Sequence, residues 1–213
     1  GPSVLPLVRT QDEIKSMRKA GSIAAEVLLY VGEKVRPGIT TDNLDQIAHD
    51  EIIRLGAYPS PLNYRGFPKS VCTSVNEVVC HGIPDSRQLL DGDIINIDVT
   101  VFYEGVHGDT SVTFLVGEVD DYSRQLVQTT RNALTKGMET VHNGSRVCDI
   151  GQAIEKYAHS SQLSVVREFI GHGVGPEFHS SLAIPHYFDR RATTELLTGM
   201  TFTIEPMLNL GGH

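Results

Sequence analysis

Asp98 and Asp109 fall on the two arms of a segment, residues 91–116, that reads as a β-hairpin. Side chains alternate faces along a strand, so Ile95, Ile97, Val99 and Val101 share one face and Asn96, Asp98 and Thr100 the other. On the second arm Val106, Val112 and Phe114 lie on one side, opposite His107, Asp109, Ser111 and Thr113. A two-residue turn at Glu104-Gly105 sets Asp98 across from Ser111 and Asp109 across from Thr100. The two carboxylates then become diagonal neighbours about 5–8 Å apart at Cβ. Held that close within a sheet, they repel unless a cation or a shared proton comes between them. The pattern calls for a metal. Taken alone the same spacing also suits a solvated hairpin, and the rest of the chain decides.

A second polar group comes late in the sequence. His172 stands between Gly171 and Gly173, where the backbone can approach other groups closely. Phe178-His179 follows on the same stretch, and Glu205 ends a segment in which Thr201 and Thr203 alternate with Phe202 and Ile204. His107, two residues before Asp109 on the polar face, is a candidate supporting residue.

The elements that must position these groups come as a repeat. Thr10 and Glu13 have the form of a capping box, followed by Ile14, Met17, Gly21, Ala24, Leu28 and Val31 at helical spacing as far as Pro37-Gly38. Thr40 or Thr41 caps a second helix lined by Leu44, Ile47, Ala48, Ile52 and Leu55 and closed at Gly56. Residues 58–68 have loop chemistry, and residues 70–79 read as a strand leading to Cys80-His81. After the hairpin the plan restarts: Leu126, Val127, Thr130, Leu134, Met138 and Val141 mark one helix, Asn143-Gly144 breaks it, and Val147, Ile150, Ile154 and Tyr157 mark the next. VRPGITTDNLDQ from Val35 aligns with VHNGSRVCDIGQ from Val141, and LDGDIINID ending at Asp98 aligns with LTGMTFTIE ending at Glu205. Two such halves, about 10–118 and 119–213, predict a single α+β domain over 10–213 with pseudo-two-fold symmetry. The repeat also expects a further acid near position 216 or beyond, on a strand pairing with the one that carries Glu205.

Composition narrows the class. A chain of 213 residues with 40% hydrophobic content can bury an ordinary core, and its net charge of −8 argues against a nucleic-acid or anionic-membrane surface. The longest apolar patches, such as residues 23–31, fall short of the roughly 18–20 residues that cross a bilayer. Cys72, Cys80 and Cys148, odd in number and widely spaced, predict thiols in a reducing compartment. His49, His142 and His159 read as solvated residues of helical stretches. Residues 1–9 read as an N-terminal extension that begins with a tag remnant, Gly1-Pro2, so a targeting segment could have been removed.

NEVVCHGIPD, GDIINIDVTV, GVHGDTSVTF, GHGVG with FH following, and TFTIEPM together closely resemble the type I methionine aminopeptidases. The resemblance runs from about Thr10 to the last residue. It implies the creatinase-like pita-bread fold, with helices packed on a curved antiparallel sheet and metal held between its halves. On it Asp98, Asp109, His172 and Glu205 match metal ligands. His81 matches a histidine that contacts the scissile amide nitrogen, and His179 one that contacts the carbonyl oxygen. Tyr64, Phe67, Cys72 and Phe178 fall on positions lining the pocket for methionine. Phe67 stands where many bacterial members have tyrosine, and Pro61 where cysteine is frequent.

The implied cofactor is a pair of divalent cations, Co, Mn, Fe or Zn by the donor chemistry. They would activate a hydroxide that attacks the carbonyl after an N-terminal methionine, with Glu205 as proton shuttle. A small second residue is preferred. The family also carries a fifth ligand, a glutamate near its C-terminus, which this sequence does not contain; the acid predicted from the repeat falls where that glutamate would be. The C-terminal strands are therefore expected to be missing from the sequence as given: either it omits a tail that the molecule possesses, which the otherwise unpaired edge at residues 201–206 favours, or the chain is truncated with an impaired metal site.

The substrates implied are nascent polypeptides, with ribosome contact conceivable through Lys15, Arg18 and Lys19. No nucleic acid, membrane or permanent partner is expected, the chain being read as a monomer. The expected location is the cytoplasm, or an organelle if a targeting segment was removed. Two competing readings are a creatinase-fold peptidase that cleaves before proline and a non-catalytic peptide-binding or regulatory protein on the same scaffold.

Overall fold

The computed structural model describes residues 11–76, 82–142 and 144–160, and the backbone of four short strands beyond them. The chain divides into two compact units, one built on Asp12–Arg124 and the other on Gln125–Val174 and His179–His213.

In the first unit α1, Gln11–Gly32, buries Met17, Ala20, Ile23, Ala24, Val27, Leu28 and Val31, a stripe at three- and four-residue spacing. The helix stops at Gly32, short of Pro37-Gly38. Thr10 lies outside the described residues. Helix α2, Thr41–Arg54, starts with a closed box: Thr40 Oγ1 accepts the Asn43 N–H at 3.0 Å while Asn43 Oδ1 accepts the Thr40 N–H at 3.3 Å. Gly56, at φ +81°, takes the left-handed position after its end.

The sheet is centred on β3, Ile94–Tyr103, with β4, Val106–Leu115, along one side. On its other side β3 pairs with β1, Tyr58–Pro59, and with β2, Cys72–Val75, all antiparallel. The hairpin turns at Glu104 (φ 49°) and Gly105 (φ 83°), and its register sets Asp98 opposite Ser111 and Thr100 opposite Asp109, as the alternation predicts. The segment at 58–68 is not all loop, because its first two residues join β3. β2 ends at Val75, where Asn76 turns to φ 52°, and residues 77–79 of the expected strand lie outside the described residues. The Asn76 side chain accepts the Ile94 N–H and donates to buried Asp93, both at 2.9 Å, pinning the strand end.

One face of the hairpin is the core: Ile95, Ile97, Val99 and Val101 are fully buried. Helix α1 lies so close to it that a Cβ at Gly108 would collide with the backbone of Ala20 and Gly21, and a Cβ at Gly32 with the Phe114 ring. Each glycine here is a close-approach residue.

In the second unit α3, Asp121–Glu139, buries Val127, Ala133 and Gly137, and α4, Val147–Ser160, buries Val147, Ile150, Ile154 and Ala158. Met138, expected on the buried stripe of α3, is 50% exposed instead. Gly137 occupies the contact, where the side chains of Ile150 and Ile154 leave no room for a Cβ. Strand β5, Leu163–Val165, pairs antiparallel with β8, Leu208–Leu210, and β6, Gly171–His172, with β7, Ala183–Ile184.

Candidate metal centre and its surroundings

Three antiparallel strands bring their polar side chains to one face, in rows fixed by register. Cys72, Asp98 and Ser111 form one row, and Ser74, Asn96 and Thr113 the next. Thr100 and Asp109 form a row on the other side of Asp98, with Phe102 and His107 beyond. Asn96 Nδ2 donates to Thr113 Oγ1 at 3.1 Å, so the row beside Asp98 is tied across the strands.

Both aspartates are half-buried, and in each the Oδ1 atom is shielded from solvent. Carboxylate oxygens removed from water on a shared sheet face suit a hard or borderline divalent cation. These residues fit the implied metal.

The other expected ligands lie beyond what the structure describes. His172 is on β6, where its backbone pairs with Ala183, but its side chain is outside the described residues. His81, Phe178, His179 and Glu205 are also outside them. Gly82, which follows His81, is described and tightly held. Its carbonyl accepts the Thr73 N–H at 3.0 Å and its N–H donates to Ser74 Oγ at 3.3 Å. A Cβ there would run into the Thr73 carbonyl.

Tyr64 and Phe67, both half-buried, sit on a compact turn between β1 and β2. Tyr64 opens a short 3-10 turn over Tyr64–Gly66 after Asn63 at φ 67°. The turn closes on itself through Phe67 N–H to Tyr64 O at 2.9 Å and Asn63 N–H to Phe67 O at 2.7 Å. Cys72, also half-buried, is the direct cross-strand partner of Asp98.

Several supporting residues escaped the sequence reading. Buried Ser60 donates its N–H to Thr100 O at 3.0 Å and places Oγ 2.7 Å from His107 Nδ1. The His107 ring packs on Phe102 with centroids 5.0 Å apart. Asp45, on α2, accepts the N–H groups of Ser70 and Val71 at 2.8 and 3.0 Å. Desolvation pushes its carboxyl above the ordinary value, against the lowering effect of those hydrogen bonds and of Lys69 and His49 nearby. His49, expected to be solvated, is half-buried with Nδ1 2.7 Å from Ser70 Oγ. The available signal was the helical spacing of Asp42, Asp45 and His49 along α2, a polar face aimed at the residues before β2. Lys69 completes that face through an ion pair with Asp42 at 2.9 Å.

Two carboxylates on one face of an antiparallel sheet packed on helices have the form of a metal-binding site on an α+β scaffold. The model of metallopeptidase family M24 matches residues 15–212. Over 206 residues the chain is 53% identical to methionine aminopeptidase 2 of Mycobacterium tuberculosis, covering 97% of this chain and 72% of that one. It is 51% identical to methionine aminopeptidase 1A of Arabidopsis thaliana, covering 96% of this chain and 52% of that one, so it spans only about half the length of that relative. Its structure is similar to the crystal structure of methionine aminopeptidase from Rickettsia prowazekii, with TM-score 0.93 and 46% identity over 96% of this chain and 83% of that one. The chain belongs to metallopeptidase family M24, and within it to the methionine aminopeptidases of type I.

Proposed function

We propose that this chain releases the N-terminal methionine of nascent polypeptides with a small second residue, using two divalent cations drawn from Co, Mn, Fe and Zn. Asp98, Asp109, His172 and Glu205 are the residues that would hold them. One observation carries the reading: in a member of this family, Asp98 and Asp109 share a polar sheet face with one oxygen of each shielded from water.

When bound, such cations supply a water of lowered pKa and a polarised carbonyl. The remaining work falls to the chain. Glu205 takes the proton of the attacking water and passes it toward the leaving amine. His179 donates a hydrogen bond to the carbonyl oxygen as it gains charge, and His81 orients the scissile amide nitrogen. Tyr64, Phe67, Cys72 and Phe178 enclose the methionine side chain, whose unbranched thioether adapts to an apolar pocket.

The substrates are chains emerging from the ribosome, met by a monomer in the cytoplasm or in an organelle, without nucleic-acid or membrane contact. A net charge of −8 supports the absence of polyanionic partners.

The test is peptide hydrolysis by metal-depleted protein before and after addition of Mn(II) or Co(II). Release of methionine from Met-Ala-Ser, only with metal, is the expected result. Cleavage of Xaa-Pro peptides with Met-Ala-Ser left intact would assign a proline-directed peptidase instead. Binding of either peptide without turnover would leave a non-catalytic protein.

A further inference from the structure

Ser60 joins two parts of the candidate site that sequence separation keeps apart. It follows β1, whose residues Tyr58 and Pro59 pair with Phe102 and Val101. Its N–H reaches Thr100 O, and Thr100 is the cross-strand partner of Asp109. Its hydroxyl, in a residue only 8% exposed, meets Nδ1 of His107 at 2.7 Å, two positions before Asp109 on the same strand and face. In the other direction, Leu62 N–H donates to Pro59 O and Tyr64 N–H to Pro61 O, which begins the turn that carries Tyr64 and Phe67.

We propose that the Ser60–His107 hydrogen bond is a positioning clamp that fixes the Asp109 strand to the turn carrying Tyr64 and Phe67, so that metal-holding carboxylate and methionine pocket are set as one piece. The inference rests on the proposed function above.

The geometry gives the clamp three anchors. Backbone pairing and the Ser60–Thr100 bond fix the β1 end, and the Phe102 ring restricts the imidazole from the side. Of the contacts described for Ser60, the hydroxyl-to-imidazole bond is the one that reaches β4, the strand that carries Asp109. The bond forms with either tautomer of His107, the hydroxyl donating to Nδ1 or accepting from it. Removing His107 takes this partner from the buried Ser60 hydroxyl. Removing Ser60 frees the imidazole to turn, two positions before Asp109 on the face that carries the carboxylate. Groups that orient metal ligands from one shell out are worth about 10–100-fold in metal affinity or activity.

Four variants in a double-mutant cycle test it: Ser60→Ala, His107→Ala, both together, and the conservative Ser60→Thr. Mn(II) affinity of the metal-free protein is read by calorimetric titration, and KM and kcat are read for Met-Ala-Ser. Each single alanine change is expected to weaken Mn(II) binding by about 10-fold and to raise KM, while the double variant is no worse than either single. Ser60→Thr restores both. A His107→Asn variant, which keeps a polar group near the Nδ1 position, controls for failed folding and is expected to retain most of the affinity. Mn(II) affinity within about twofold of the parent in both single variants, or additive losses in the double variant, would overturn the clamp. Parent protein that binds Mn(II) without cleaving Met-Ala-Ser would end the functional reading while the titrations still judge the clamp. Parent protein that binds no Mn(II) would remove both.

Discussion

Asp98 and Asp109 stand on neighbouring strands of one hairpin, on the same face, offset by one two-residue step: Asp98 opposite Ser111 and Asp109 opposite Thr100. With one oxygen of each shielded from water, two carboxylates this close repel unless a cation or a shared proton comes between them, and they form a ligand pair when a cation is present. The same two residues should therefore have opposite effects on stability with and without metal.

Asp98→Asn and Asp109→Asn are expected to raise the melting temperature of the metal-free chain or leave it unchanged, because each removes one of two repelling charges. In the parent, Mn(II) should raise the melting temperature, since a ligand that binds only the folded state stabilises it. Either substitution should abolish most of that rise and lower kcat/KM by at least about 100-fold. Differential scanning calorimetry with and without Mn(II) checks the pair. A metal-induced rise equal to the parent's in Asp109→Asn would remove it from the ligand set.

This hairpin was legible in the sequence because its period-two alternation, its Glu104-Gly105 turn and its apolar run at Ile95 to Val101 all specify one register. The helices were legible from their apolar spacing and caps, yet Met138 was misplaced. Periodicity locates an apolar face without saying whether a glycine such as Gly137 lets the neighbouring helix take that face over. Ser60 was not legible, and Asp45 was legible only as one member of a polar helix face. Their partners, His107 for one and Ser70 with Val71 for the other, are set by tertiary packing. Of the ten expected site residues, Asp98, Asp109, Tyr64, Phe67 and Cys72 are described with their side chains. Cys72 was reached through resemblance alone, although its pairing with Asp98 would follow from extending the same alternation to β2.

Gly108 is where α1 touches the sheet. A Cβ there would overlap the Ala20–Gly21 backbone, which has no flexible tip that could swing away. Gly108→Ala should destabilise the chain by about 1–3 kcal/mol, the usual cost of overpacking. Because Gly108 neighbours Asp109, the helix and the site should loosen together. Urea denaturation gives the stability and Mn(II) titration the affinity. Gly21, by contrast, has open space at its Cβ and lies mid-helix, so Gly21→Ala should be neutral or stabilising.

Asp45 supplies a pH dependence with a definite sign. Desolvation by burial raises its carboxyl above 3.8, so the folded state takes up this proton at higher pH than the unfolded state does. Its contribution to stability is complete below the unfolded value and is lost as pH rises through the folded one. Asp45→Asn keeps an acceptor oxygen for Ser70 and Val71 without the buried charge, so at neutral pH it should match or exceed the parent in stability. As pH falls toward about 4, the parent should regain ground on Asp45→Asn. Asp45→Ala leaves both N–H groups unmatched and should fall about 1–3 kcal/mol below Asp45→Asn at every pH. Thermal melts of the three proteins across the range decide it: a constant difference between parent and Asp45→Asn would mean that Asp45 titrates alike in both states.

Gly82 links the sheet to the residue proposed to orient the scissile amide. Its carbonyl and N–H both bond β2, at Thr73 and Ser74, and no side chain fits between Gly82 and the Thr73 carbonyl. Because that neighbour is backbone within a paired strand, Gly82→Ala must push residue 82 outward, and His81, bonded to it, moves as well. The expected result is a fall in kcat of at least about 10-fold for Met-Ala-Ser, since small misplacements of reacting groups are expensive. Mn(II) affinity should hold within about threefold, because Asp98 sits across from Cys72 and is spaced from Thr73 by strand pairing that the change leaves in place. A matching loss of metal affinity would instead trace the defect to β2 itself. Unchanged kcat would show that the position of His81 does not depend on its glycine neighbour.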